Sequence, residues 1–242
     1  MTQLQPHIQL SSDIKVTKAI LVGDPARLDV LKTFLEDARE VTYNREFRSI
    51  VGTYKGSSIL GLSTGVGAPS AVIAIEELAQ IGVKEAIRVG SAGAYQDGID
   101  LGQLLVATGV VRDDGLSKQY VPANYPAIPS LRLMNLAKKH ADKNTWFGII
   151  RSHDGFYMDD NADTEAYWSR FGVLGADMES GAVMIVGGLR GVETLSILNN
   201  VVLWRGDLQE GVNNLVNEGE VVVKGERASL QLALDILADK GA

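Results

Sequence analysis

Short runs of Val, Ile and Leu recur along the chain, and several end in a glycine-bearing turn that opens a helical pattern. That alternation constrains the fold more than any other feature. A continuous apolar run is the signature of a strand covered on both faces, and strands alternating with helical patterns build an α/β sheet. The run at 18–22 shows the rule: it stops at Gly23, Asp24 and Pro25, and Arg27 follows within one turn. Strands are expected over 18–22, 48–53, 57–62, 85–90, 103–112, 146–152, 173–176 and 194–203. Helices are expected over 25–38, 68–81, 130–141, 162–171, 178–190 and 219–240, the last as a covering helix. The polar stretch Thr53–Ser58 reads as a hairpin, so the sheet should be mixed. With no linker, repeat or low-complexity tract, the expectation is one α/β domain over 1–242, a mixed central sheet flanked by helices.

Composition narrows the function classes. Of 242 residues, 45% are hydrophobic and 22% charged, an ordinary soluble globular balance. The net charge of −7 argues against a general nucleic-acid or membrane-surface binder, so a bound anion must be held by a few local arginines. Cysteine is absent, which excludes disulfides and thiolate chemistry and fits a reducing cytoplasm. No signal-peptide pattern opens the sequence, and no run approaches the roughly 18 apolar residues of a membrane helix.

Four glycine clusters follow strand candidates: "GDPAR" (23–27), "STGVGAPS" (63–70), "RVGSAGAYQDG" (88–98) and "RSHDGFY" (151–157). Ligands of open α/β sheets bind outside the carboxyl ends of the strands, where glycine admits close backbone approach and helix starts attract anions. Each cluster alone reads equally as a tight turn; four in one domain point to a shared site. "GVGAPS" lacks the third glycine and the acidic residue about 20 positions on that a dinucleotide fingerprint requires. No Gly-Lys-Ser/Thr phosphate loop is present.

Arg27 and Arg88 lie within such turns, and Arg45 lies in "YNREF". A guanidinium buried at a strand end needs an anionic partner, and its fork matches phosphate oxygens. Internal ion pairs with Asp24, Glu46 or Glu85 are the other reading for each arginine. Ser91 and the glycine N–H groups nearby favour phosphate. In "GADMESGAV" (175–183), Asp177 and Glu179 read either as acidic residues at a helix start or as a carboxylate facing vicinal sugar hydroxyls, with Met178 against the ring.

Together these segments resemble the nucleoside phosphorylase family of uridine phosphorylases and hexameric purine nucleoside phosphorylases. The matching stretches are "LVGDPARL", "YNREFRSIVGTYKG", "STGVGAPSAVIAIEELAQIG", "IRVGSAGAYQDGIDLGQLLVAT", "DGFY" and "DMES", spanning about residues 7 to 190. The resemblance implies a phosphate site of Gly23, Arg27, Arg88 and Ser91, with Arg45 arriving from a neighbouring subunit. It implies ribose contacts from Met178, Glu179 and His7, the last crossing a dimer interface, with Glu179 and Arg88 carrying the chemistry. Gly93, Phe156, Val201 and Val202 would line the base. It further implies a homo-oligomer, either a dimer or a hexamer built as a trimer of dimers. It implies inorganic phosphate as the co-substrate, no organic cofactor, and a place for a monovalent cation near Glu46, Val66 and Ser70. The reaction would be phosphorolysis of an N-glycosidic bond, releasing free base and ribose 1-phosphate.

The base is less defined. Uridine phosphorylases carry a Gln-x-Arg pair after "FY"; here "MDDNADTEAYWSRFG" (158–172) has no glutamine. Purine enzymes carry an acid at the end of the later strand, where this chain has Val201 and Val202; Asp207 or Arg205 would have to substitute. Similarity of "NREF", "GAPS", "EELAQIG" and "DMES" favours a uridine phosphorylase, with a purine nucleoside phosphorylase as the alternative. A nucleosidase has no need of three anion-binding arginines. A non-catalytic nucleoside-binding protein predicts binding without turnover.

Overall fold

A computed structural model describes residues 3–206 and 219–239. The strands are β1 (Lys18–Val22), β2 (Glu36–Asn44), β3 (Phe47–Tyr54), β4 (Ser57–Ser63), β5 (Glu85–Ala94), β6 (Leu104–Asp113), β7 (Trp146–His153), β8 (Gly175–Asp177) and β9 (Glu193–Val202). The helices are α1 (Arg27–Lys32), α2 (Ala68–Gln80), α3 (Ser117–Tyr120), α4 (Leu131–His140), α5 (Asn161–Ser169), α6 (Ser180–Leu189) and α7 (Glu220–Ala238).

The strands form one mixed sheet in the order β2-β3-β4-β1-β5-β8-β7-β6-β9. β9 also pairs along the length of β5, from Glu85↔Glu193 to Gly93↔Val202, so β5, β8, β7, β6 and β9 close on themselves. The β3–β4 hairpin is antiparallel as expected, whereas β1 pairs in parallel with both β4 and β5.

Period-two alternation explains the layers. Ala19 and Leu21 of β1 pack with α2 and α6, while Ile20 and Val22 pack with α1, α4 and α7. All four are essentially solvent-free. Burying a side chain such as Ile20 or Leu21 stabilises the fold by about 1.5–3 kcal/mol.

Two expected elements differ. The helix expected over 25–38 is only Arg27–Lys32, and Glu36–Asn44 is an edge strand paired with β3. Its "EDAREVTYN" sequence is charged and largely open to solvent, as an edge permits, and therefore lacks an apolar strand signal. The strand expected over 173–176 is Gly175–Asp177, held between β5 and β7. Two remaining expectations, Asp207 and the final residue of the 219–240 helix, lie outside the described residues.

Candidate active site at the carboxyl ends of the strands

Arg88 sits on β5 with its side chain fully buried, and Gly90 makes room for it. A Cβ on Gly90 would stand 2.6 Å from Arg88 Nη2 and 2.9 Å from Leu198 Cδ2. Arg88 Nε donates to Asp177 Oδ2 at 2.9 Å, and Nη2 donates to Glu179 Oε2. Nη1 is buried and has no hydrogen-bond partner among the described residues. The internal partners considered from sequence are therefore not the ones used: Glu85 pairs instead with Arg132.

Asp177 and Glu179 converge on one guanidinium. Asp177 also accepts from Ser152 Oγ (2.6 Å), Ser180 N (3.0 Å) and Ser180 Oγ (2.6 Å), so it both starts α6 and aims Arg88. Glu179 accepts from the backbone N–H of Gly67 at 2.6 Å and of Met178 at 3.2 Å. Gly67 has φ +98°, a conformation that favours glycine, and it turns its N–H toward the carboxylate. Burial pushes the Glu179 carboxyl above its ordinary range; Arg88 opposes the shift and Asp177 adds to it. Burial also works against the charge on Arg88, but Glu179 and Asp177 outweigh it and raise its pKa.

On the other side of β5, Arg27 is also buried. Its Nε pairs with Glu226 Oε2 of α7 at 2.9 Å, Nη1 donates to Val89 O at 3.2 Å, and Nη2 donates to Ser91 Oγ at 3.3 Å. The partner of Arg27 is thus Glu226, not Asp24, whose carboxylate accepts from Ala26 N at 2.8 Å ahead of α1. Gly23 O accepts from Gly65 N at 3.0 Å, which joins the β1 turn to the "STGVGAPS" turn that reaches Glu179. Glu46 and Ser70 meet across Gly65, and Val66 beside them is 76% exposed. Ser70 Oγ donates to Thr64 O.

The residues expected to line a base fall partly together. Gly93 is paired with Val202 on β9 and with Ala176 on β8, while Val201 and Val202 are buried with Val222. Phe156 follows β7, edge-on to Tyr157, and Asn161 Nδ2 donates to its carbonyl at 2.6 Å.

Two residues stand outside the cluster. Arg45, in the β2–β3 turn, is exposed and without a hydrogen-bond or ion-pair partner among the described residues. His7 is anchored on α2: its Nδ1 is 2.7 Å from Glu77 Oε1, and the backbone N–H groups of His7 and Ile8 also donate to Glu77. A carboxylate only accepts, so Nδ1 carries the hydrogen and Nε2 remains for another partner. Sequence reasoning missed Glu226, Glu77, Ser152 and Gly67, each distant in sequence from the group it holds.

The arrangement has the chemistry of an oxyanion site beside a carboxylate that can accept from hydroxyls. A sequence model of the phosphorylase superfamily matches residues 17–228, and the chain belongs to that family. It is 42% identical over 158 residues to a uridine phosphorylase of Thermococcus kodakarensis, covering 64% of this chain and 57% of that protein. It is 33% identical over 196 residues to a guanosine phosphorylase of Halorubrum lacusprofundi, covering 80% of this chain and 81% of that protein. The crystal structure of a Vibrio fischeri uridine phosphorylase superposes with a TM-score of 0.90 at 42% identity, covering 97% of this chain and 96% of that one. The fold is therefore the nucleoside phosphorylase fold that the sequence motifs implied.

Proposed function

We propose that the chain catalyses phosphorolysis of a nucleoside, with uridine the principal substrate and a purine nucleoside the alternative. The observation that carries the reading is the buried Arg88 Nη1, which has no partner among the described residues beside Glu179. Leaving such a donor unsatisfied costs about 1–3 kcal/mol, and a phosphate oxygen would satisfy it.

In this reading Arg88, Arg27, Ser91 and the Gly23 turn hold phosphate. One phosphate oxygen forms a bond to C1′ of the ribose as the C1′–N bond breaks. The bonding electrons leave with the base, which takes up a proton. The ribosyl centre gains positive character in between, so a nearby dianion and the Glu179 carboxylate both favour the transition state. Glu179 accepts from the ribose hydroxyls, Met178 covers the ring, and Gly93, Phe156, Val201 and Val202 bound the base.

Arg45 serves a neighbouring subunit's phosphate and His7 a neighbouring ribose, which makes the active unit at least a dimer. Support comes from the turn itself: Arg45 has no partner among the described residues, and Tyr43 and Val66 nearby are 64% and 76% exposed. Large apolar side chains beside an unpaired cation suit a covered surface better than a solvated one. A monovalent cation near Glu46, Val66 and Ser70 belongs to the same reading; comparing activity in potassium and tetramethylammonium salts tests it.

The decisive assay is a nucleoside panel with and without phosphate, following base release by absorbance. Phosphate-dependent release of uracil is expected. Undiminished release without phosphate would instead make the protein a nucleosidase, and tight binding without turnover would make it a nucleoside-binding protein.

A further inference from the structure

The Gln-x-Arg pair implied for uracil reading is missing from this sequence, yet the fold builds a cavity just beyond the strand rung that holds the base-lining candidates Gly93 and Val202. Gly93 pairs with Val202 and with Ala176, and Ala176 pairs with Arg151, so the four stand in one rung across β9, β5, β8 and β7. Two residues further along, Tyr95 and Trp204 meet with ring centroids 6.0 Å apart. Trp204 then walls a cavity of about 400 Å³ with Arg205 on one side and Asn161 and Glu165 of α5 on the other. That volume is within the range of small-molecule sites.

Helix α5 fully buries none of its own residues; Trp168 packs against the Tyr95, Val173 and Ala176 cluster, and hydrogen bonds from Gln96 dock the end of the helix. Gln96 Nε2 donates to Ser169 O at 2.9 Å and to Val173 O at 2.8 Å. Nothing in the hydrophobic core requires a carboxylate at position 165, yet Glu165 is half-buried at the cavity. It has no hydrogen-bond or ion-pair partner among the described residues. Arg151 is already engaged by Asp113 at 2.8 Å and by the Tyr95 hydroxyl at 3.3 Å, so it acts on Glu165 only through space. Arg205, across the cavity, holds a φ of +60° and lies 5.3 Å from the Trp204 ring centroid. A non-glycine residue kept in that conformation is a mark of local demand.

We propose that Glu165 reads the base: its carboxylate accepts the ring N–H of a keto base, either the imide of uracil or the N1–H of a 6-oxopurine. The inference rests on the phosphorolysis reading for what enters the cavity, and it adds which bases are accepted. An ionised carboxylate is acceptor-only. It complements N3–H of uracil or N1–H of hypoxanthine and guanine, while the Arg205 guanidinium can donate to the adjacent carbonyl oxygen. Cytosine and adenine present a lone pair at the same ring position, which faces the carboxylate acceptor to acceptor and leaves a buried group unpaired. One side chain thus admits uridine, inosine and guanosine together and rejects cytidine and adenosine.

The test pairs Glu165→Ala and Glu165→Gln with the wild type on those five nucleosides at saturating phosphate. In parallel, calorimetry measures binding of free uracil, hypoxanthine, cytosine and adenine. Expected are turnover of keto nucleosides only, and a fall of about 30-fold in kcat/KM for the best one in Glu165→Ala, with the phosphate KM unchanged. Glu165→Gln, whose amide can also donate, should narrow the keto-to-amino ratio. Because Glu165 is only half-buried and makes no hydrogen bond or ion pair among the described residues, both variants should fold, which circular dichroism checks. Turnover in Glu165→Ala within twofold of wild type overturns the inference while leaving phosphorolysis standing, as does comparable wild-type use of cytidine or adenosine. Should no nucleoside be phosphorolysed, loss of uracil and hypoxanthine binding in Glu165→Ala still supports it, and binding of no base, or unchanged binding, overturns it.

Discussion

Arg88 reaches Glu179 through Nη2 while its Nη1, equally buried, donates to none of the described residues. Its third nitrogen, Nε, is fixed by Asp177. The guanidinium is thus oriented on two sides and open on the third, with the ribose-binding candidate as one of its neighbours. The geometry couples the two halves of the proposed reaction: whatever anion meets Nη1 stands close to the group that would grip the sugar.

Arg88→Lys should fold but lose the planar fork, lowering kcat/KM for phosphate by about 100-fold with a much smaller change in nucleoside affinity. Arg88→Ala is harsher, because two buried carboxylates lose their cation; a loss of about 3–5 kcal/mol in denaturant melts is expected. Phosphate kinetics in Arg88→Lys matching wild type would remove Arg88 from the site.

Glu179→Gln should lower kcat by about 100-fold while preserving the fold, since the amide can keep the hydrogen bond from Gly67. The pH profile gives an independent reading. Burial raises the Glu179 carboxyl, so the ionised form is lost as pH falls at values above the ordinary glutamate range. The wild-type rate should therefore decline on the acid side early, and the Gln variant should lack that limb.

Arg45→Ala removes an exposed guanidinium without partners, so melting temperature should not move. The phosphate KM should rise about 10-fold or more. Mixed assembly is a stronger check. Unfolding and refolding Arg45→Ala together with Glu179→Gln should restore part of the activity, because some sites then receive both intact side chains. Absence of any restored activity would place Arg45 outside the site.

Among the described residues His153 hydrogen-bonds no charged group; its Nδ1 donates to Gly155 O at 2.9 Å. Burial and then the nearby Arg151 push its pKa down. A histidine depressed in the folded state binds fewer protons there than when unfolded. Its contribution to stability is full above the unfolded value of about 6.5 and is lost as pH falls through the folded value. Urea melts between neutral and mildly acid pH should show that decline, and His153→Gln should flatten it.

The elements that sequence made legible are those whose signal is local. Apolar runs at β1, β4, β7 and β9 and the amphipathic α4 were readable because one face or both are buried. β2 was not, since an edge strand is held by backbone pairing with β3 and needs no apolar face. The site divides in the same way. Glycines and arginines at strand ends could be recognised, but Glu226 lies 199 positions from Arg27 and Glu77 lies 70 from His7. Only closure of α7 and α2 over the sheet brings those carboxylates to their partners. Arg88 was read as a phosphate ligand; that Asp177 and Glu179 would both hold it depends on the β8–α6 corner, which no spacing rule defines.

Asp177 joins the first turn of α6 to the guanidinium at the centre of the site, so one carboxylate is shared by architecture and chemistry. Heating that frays the helix start should therefore blunt turnover in the same step. Attempts to harden the protein at this corner would retune its kinetics as well, and thermostability and rate will have to be selected together.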